Sequence, residues 1–346
     1  MNRRKFLRSS AGMLAATGTG LGRSAWAQGR REIRIGGQRV TTVDVHTHTI
    51  IPGTMELLGT TTPNNNANLI IGDSRIALMD QWGIDVEILS VNPFWYSLDV
   101  DDARRVIDYQ NRGLAEICSR YPDRLVAMTS VALQHPELAA EQLATGIREY
   151  GLKGVSLGGH VAEEELGADR FDPFWAAVEE FDVPIWVHPL GVPELNRLQG
   201  NGFLSNVIGN PLDTTLALSH MIFEGVLDRF PNLKVASAHG GGYIASYADR
   251  ADYGCERSPQ NCNKTLERRP TDYLRDMYFD SLVFTSENLQ HLVAQYGADH
   301  VVVGSDYPYT WADRPIDHVL ETPGLTDAEK IAIVGGNALE LWGISV

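Results

Sequence analysis

Two histidines separated by one residue, His46 and His48, stand in the run VDVHTHTIIP at positions 43–52. On a strand, side chains at i and i+2 share a face, so both imidazoles can reach one ion while Thr47 points away. Groups with the same chemistry recur downstream: His188 in VPIWVHP, His239 in LKVASAHGG and Asp306 in HVVVGSDYP. Three imidazoles and one carboxylate, from His46, His48, His188 and Asp306, form a donor set that suits a single divalent cation. Zinc is the expected ion, although iron, cobalt and manganese accept the same donors. A two-metal site bridged by a modified lysine is not expected. Beyond residue 27 the lysines are Lys153, Lys234, Lys264 and Lys330, and the first two fall at strand beginnings, away from the histidines.

Such groups need a scaffold that brings distant parts of the chain to one point. Short β-branched runs at 41–48, 85–92, 124–131, 153–160, 183–189, 233–241, 277–283 and 300–308 read as eight strands. Helical spacing separates them. Val106, Ile107, Leu114, Ile117 and Cys118 recur at three- and four-residue intervals, and comparable patterns cover 136–151, 172–181, 213–231, 286–297 and 326–343. Thr326 with Glu329 predicts a capping box at the start of the last one. Eight alternating units predict an α/β fold, a distorted (β/α)8 TIM-type barrel in one domain. No Gly-x-Gly-x-x-Gly follows the first strand, which disfavours an open dinucleotide-binding sheet. In a barrel the chemistry gathers at the C-terminal strand ends. Five of the ten histidines (His46, His48, His160, His188 and His239) fall there, together with Asn92, Asp280 and Asp306.

Composition narrows the function classes. The 346 residues are 43% hydrophobic, enough for a large core, with net charge −15. Paired Arg3 and Arg4, a Gly/Ala/Thr-rich stretch and the small-x-small Ala25-Trp26-Ala27 lay out a twin-arginine export signal over 1–27. The expectation is a periplasmic protein with an extension at 28–40 and a barrel at 41–346. Removing 1–27 takes five basic residues and no acid, leaving a net charge of −20. A body this acidic repels phosphate backbones, so nucleic acid is not an expected partner. The apolar stretch is too short and glycine-rich for stable membrane insertion. Of three cysteines, Cys255 and Cys262 are placed to close a short loop in an oxidising compartment, with Cys118 a core thiol.

The motifs VDVHTH, WVHP, DRFPNLKVASAHGGG, VVVGSDYP and GGNALELWG, in that order, resemble the amidohydrolase superfamily. More narrowly, they are similar to the amidohydrolase-related group typified by 2-amino-3-carboxymuconate-6-semialdehyde decarboxylase, over about residues 41–343. The resemblance implies one metal held by His46, His48, His188 and Asp306, with His239 and Asp306 as catalytic residues. His239 matches the family's acid/base histidine, and a histidine suits proton transfer near neutral pH. Arg250 matches an arginine that reaches a substrate carboxylate across a dimer interface, so a homodimer is implied. The chain departs from the group in TTTPNNNANLIIGD, where a second carboxylate-binding arginine is missing; Arg197 is a candidate substitute. Phe94, Trp95 and Tyr96 are candidate walls for a planar substrate, and Asn92 and His160 candidate substrate contacts.

The expected activity is non-oxidative decarboxylation of a small unsaturated or aromatic carboxylic acid. Hydrolysis of a lactone, ester or amide on the same site is the alternative, since one ligand set serves both. A small, anionic substrate is the expected partner.

Overall fold

The computed structural model describes residues 29–59, 67–92, 94–192, 197–262, 266–309, 311 and 314–345. The expected export signal at 1–27 lies outside them, as do residues 60–66 of the asparagine-rich run. Eight strands form the centre: β1 (Val43–Thr49), β2 (Val86–Val91), β3 (Leu125–Ala127), β4 (Val155–Gly158), β5 (Pro184–His188), β6 (Lys234–Ser237), β7 (Tyr278–Asp280) and β8 (Val301–Val302). All eight predicted strands are present, with shorter regular ladders than the sequence runs. One sheet has the order β1-β2-β3 and another β8-β7-β6-β5-β4, with parallel neighbours throughout.

Single bridges join the two sheets into a ring. Thr129 pairs with Val155 on one side, and Asp44 with Val303 and Thr47 with Tyr307 on the other. At that second seam the Val45 amide donates to the Val303 carbonyl (2.9 Å), His48 to Tyr307 (2.8 Å) and Asp306 to His46 (2.8 Å). Closure leaves no unpaired edge to cap. The predicted (β/α)8 barrel is what the chain forms.

A helix follows each strand: α1 (Asp73–Trp82), α2 (Val100–Arg120), α3 (Pro136–Arg148), α4 (Asp172–Phe181), α5 (Gly209–Phe223), α6 (Asp249–Arg257), α7 (Ser286–Tyr296) and α8 (Pro315–Glu321). The helix α2 shows why periodicity worked. Asp99 caps its first turn by accepting the Asp102 amide, and Val106, Ile107, Leu114 and Ile117 bury one face. Helices α1, α6 and α8 escaped the sequence reading; α1 has no clear apolar stripe, and α6 is mostly polar.

Two helical segments also differ from expectation. The segment predicted at 213–231 begins earlier, at Gly209, and breaks at Gly225, whose φ of 74° ends the first helix. The last segment opens with the expected Thr326–Glu329 capping box, then loosens into a π-turn at Ala332–Gly336. There Gly335 lies so close to Thr41 that a Cβ would sit 2.0 Å from its carbonyl oxygen.

The main core packs the helices onto the strands, with Phe174, Trp175, Leu114 and Met221 fully buried. A smaller cluster runs from Val43, Val45 and Trp186 to Ala338 and Trp342 near the C-terminus. The extension forms a hairpin, Arg34–Ile35 with Gln38–Arg39, tied to the barrel by a two-pronged Arg39–Asp85 pair (2.6 and 2.8 Å). No helix among the described residues is long and apolar enough to cross a membrane.

Among the described residues, one arginine–carboxylate pair is wholly internal. Arg75 on α1 donates to Glu87 on β2 at 2.7 Å, both side chains 2% exposed, and its guanidinium stacks 3.9 Å above the Tyr307 ring. Arg75→Ala should cost about 3–5 kcal/mol in urea unfolding, because Glu87 is left as a buried, unpaired charge. The double variant Arg75→Met/Glu87→Leu should recover most of that loss. An unchanged midpoint in the single variant would contradict the assignment.

Candidate metal centre

The strand β1 carries its two histidines past an irregularity. Asp44 pairs with Glu87 and Thr47 with Leu89, so β1 holds one extra residue between them, a bulge that re-aims the chain. Asp44 organises the bulge. Its Oδ1 accepts the amides of His46 and Ser305, both at 3.1 Å, and so binds the first strand to the last. Burial, reinforced by the Glu87 charge, pushes the Asp44 carboxyl up to about 7.

Beyond the bulge, ligand atoms of His46, His48, His188 and Asp306 lie within 4.8 Å of one another, and all four residues are buried. The Nε2 atoms of His46 and His48 stand 3.2 and 2.8 Å from Asp306 Oδ1. Each ring is held from behind. His46 Nδ1 meets Asp280 Oδ2 at 2.6 Å, and Asp280 Oδ1 accepts the amides of Gly240 (2.8 Å) and Leu282 (3.1 Å). His48 Nδ1 is 3.1 Å from the Ser90 hydroxyl, and His188 Nδ1 is 2.8 Å from the Pro189 carbonyl. Such outer partners fix ring orientation and raise ligand basicity.

These residues fit a metal. With Nδ1 committed to Asp280, His46 Nε2 is buried, lacks a hydrogen-bond partner and points at a carboxylate oxygen. The electrostatics agree. Burial works against charge on His46, yet the carboxylates of Asp306 and Asp280 outweigh it and lift its pKa to about 10. Burial holds His48 below the ordinary histidine range, and burial with neighbouring imidazoles holds His188 well below it. Asp306 is buried, but His46 and the other histidines keep its carboxyl far below the usual range. Two buried carboxylates thus demand positive charge, which a protonated His46 can supply and a divalent cation held by the four ligands would bring.

His239 adjoins this cluster. Its Nε2 is 3.5 Å from Asp306 Oδ2, and its ring centroid lies 5.1 Å from that of His46. His239 and Asp306 both adopt left-handed backbone, with φ of 56° and 61°. Non-glycine residues held there cost of order 1–3 kcal/mol each and cluster at functional sites. Beside His239 opens a cavity of about 290 Å³.

The structure brings His46, His48, His188, His239 and Asp306 together. It places the remaining candidates elsewhere. Asn92 sits behind the cluster, its amide 3.1 Å from His188 Nδ1, as a support for that ring. His160 engages the carbonyls of Ala162 (2.9 Å) and Gly191 (3.0 Å) with its two nitrogens. Phe94 is buried and stacked on Tyr96, whose hydroxyl accepts the Gly158 amide at 3.1 Å. Trp95 turns outward from the strand end, donates to Gln110 at 3.0 Å and packs beside Ala103 and Ile107. Neither Phe94 nor Trp95 lines the cavity beside His239; Tyr243, Phe284 and Trp311 do. Arg250 is exposed on α6, 5.9 Å from the Tyr247 ring, and Arg197 is exposed as well. The sequence shows Asp44 only as an acid in an apolar run and Asp280 as a polar residue at a strand end, and their roles depend on which strands become neighbours.

Residues 43–344 match the family described as Amidohydrolase. The chain belongs to the amidohydrolase family. This amidohydrolase is 31% identical over 275 residues to 2-amino-3-carboxymuconate-6-semialdehyde decarboxylase of Dictyostelium discoideum, covering 79% of this chain and 76% of that one. It superposes with TM-score 0.80 and 25% identity on 2,6-dihydroxybenzoate decarboxylase complexed with 2,6-dihydroxybenzoate, across 88% of this chain and all of the other. A 5-carboxyvanillate decarboxylase variant from Novosphingobium aromaticivorans, with bound manganese and 3-methoxy-4-hydroxy-5-nitrobenzoic acid, superposes with TM-score 0.79. It shares 25% identity over 88% of this chain and 97% of that one.

Elemental analysis of the purified amidohydrolase should find close to one metal per chain. Asp280→Asn should weaken metal affinity about 10–100-fold in a chelator competition, since it frees the back of the His46 ring. Two metals per chain, or unchanged affinity in the variant, would contradict this site.

Proposed function

We propose that this amidohydrolase is a metal-dependent carboxy-lyase that removes carbon dioxide, without oxidation, from a small unsaturated or aromatic carboxylic acid. The observation that carries this reading is the placement of His239 Nε2 3.5 Å from Asp306 Oδ2, between the four-residue ligand cluster and an apolar cavity. The three relatives named above are decarboxylases, and the two solved structures carry ring acids. His46, His48, His188 and Asp306 hold the cation, for which zinc suits three imidazoles and a carboxylate. When bound, a divalent metal supplies Lewis-acid charge that fixes and polarises the substrate's oxygens.

The residues of the chain supply the proton. His239 holds it at Nε2 and gives it to the ring carbon that bears the carboxylate. The carbon–carbon bond then breaks, its electron pair returns to the conjugated system, and carbon dioxide leaves. Asp306 Oδ2 steadies the imidazolium as a carboxylate, and solvent returns a proton to Nε2 once carbon dioxide and product have left. The cavity walls keep water from competing for the developing charge. His239→Ala should retain its metal yet lose about 10²–10⁴-fold in carbon dioxide release from aromatic acids. Retained turnover would remove His239 from this role. Ring opening or ester cleavage without carbon dioxide release would instead favour hydrolysis.

We further propose that the protein is a periplasmic homodimer. Arg250 shares its exposed face with Tyr247 and Tyr253, 69% and 62% exposed, which suits contact with a second copy. Arg3, Arg4 and the Ala25-Trp26-Ala27 site support twin-arginine export, and a disulfide between Cys255 and Cys262 (Cα–Cα 5.4 Å) suits an oxidising compartment. Folded export lets the metal load before transport. In cell fractionation, replacing Arg3 and Arg4 by lysine should leave the protein in the cytoplasm, and unaltered export would contradict the signal.

A further inference from the structure

The cavity beside His239 is larger than a one-ring acid needs. Its volume is about 290 Å³, whereas an apolar cavity of about 150 Å³ already binds benzene. Val207, Pro211, Ala245, Leu282, Val283 and Leu292 supply apolar wall, with the rings of Phe284 and Trp311 in edge contact at 6.2 Å. The polar side chains that line it are the amides of Asn206, Asn210 and Asn288, the hydroxyls of Ser246 and Tyr243, and the imidazoles of His239 and His291. Among the described residues, none that lines the cavity is a lysine, arginine, aspartate or glutamate. A second carboxylate placed there would lose hydration with no guanidinium or ammonium group to replace it. An apolar ring would gain by leaving water.

We propose that this cavity seats a neutral second ring or comparably bulky apolar arm, so that the substrate is an aromatic monocarboxylate larger than a single ring. The inference rests on the decarboxylase reading for its reacting group, but the cavity's preference for a neutral ring does not. The reacting carboxylate faces the metal ligands and His239, and the arm extends away from them between Val207 and Phe284. The amides at 206, 210 and 288 accept or donate to a hydroxyl or ether on that arm.

Binding and turnover separate the two readings. Calorimetry on the metal-loaded wild-type enzyme compares phenol with 1-naphthol, neither of which carries a carboxylate. The second ring should tighten binding about tenfold or more, as its buried apolar area implies. Equal affinities would overturn the cavity assignment whatever the reaction. Ser246→Trp, which fills the cavity, should collapse the naphthol-to-phenol ratio toward one; an undiminished ratio would overturn it. Phe284→Ala removes an exposed wall and should lower the ratio without threatening the fold, so its retention would also count against the proposal. Carbon dioxide release from 2-hydroxybenzoate, 1-hydroxy-2-naphthoate and 4-hydroxybenzene-1,3-dicarboxylate then tests specificity. The naphthoate should have the highest kcat/KM, and preference for the dicarboxylate would overturn the neutral arm. Tight naphthol binding with no carbon dioxide from any acid would keep the cavity and remove the decarboxylase reading.

Discussion

The seam between the first and last strands is the constraint on which the site depends. His46 and His48 lie more than 250 residues from Asp306 along the chain, yet their Nε2 atoms stand 3.2 and 2.8 Å from its Oδ1. The amides of Val45, His48 and Asp306 bridge that seam, and Asp44 clamps it by accepting from both His46 and Ser305. A ring of parallel strands must join its ends somewhere. Here the join also assembles the ligand cluster. The bulge in β1 follows from the same requirement, because one extra residue re-aims the histidines while the rest of the strand stays paired.

Charge is the second constraint. Asp306 and Asp280 are buried against four imidazoles, and neither carboxylate is left alone: every oxygen of the two faces a ring nitrogen or a backbone amide. Gly304 makes the approach possible, since a Cβ there would sit 2.7 Å from Asp280 Oδ2 and 2.9 Å from the His46 Cβ. The left-handed backbone at His239 and Asp306 is the local cost of aiming both side chains inward. The surrounding barrel, with its large buried core, is what sustains it.

The candidate substrate contacts also brace the elements around the site. His160 grips the Gly191 carbonyl, and Asp213 accepts the amides of Leu190 and Gly191 at 2.6 and 3.1 Å. Together they pin the segment that follows His188. Asn92 backs the ring of His188 itself. Phe94 packs on Tyr96 and Trp95 beside Ala103 and Ile107, so neither ring faces the cavity. The aromatic wall falls instead to Tyr243, Phe284 and Trp311, which belong to loops after β6, β7 and β8.

The sequence by itself determined the eight strands, most of the helices and the donor set. Each is written in local periodicity or in residue type, and neither needs a partner to be read: His46 and His48 share a face by strand geometry alone, and Thr326 caps its helix through its own next turn. Helix α1 was missed because Arg75 and Glu87 satisfy each other across elements, leaving no apolar stripe to see. Only the tertiary structure decided the roles of Asp44 and Asp280, the turn of Trp95 away from the site and the neutral lining of the cavity. Those depend on which side chains meet across the barrel. Contacts between residues hundreds of positions apart leave no period in the chain, and they are fixed only when the ring closes.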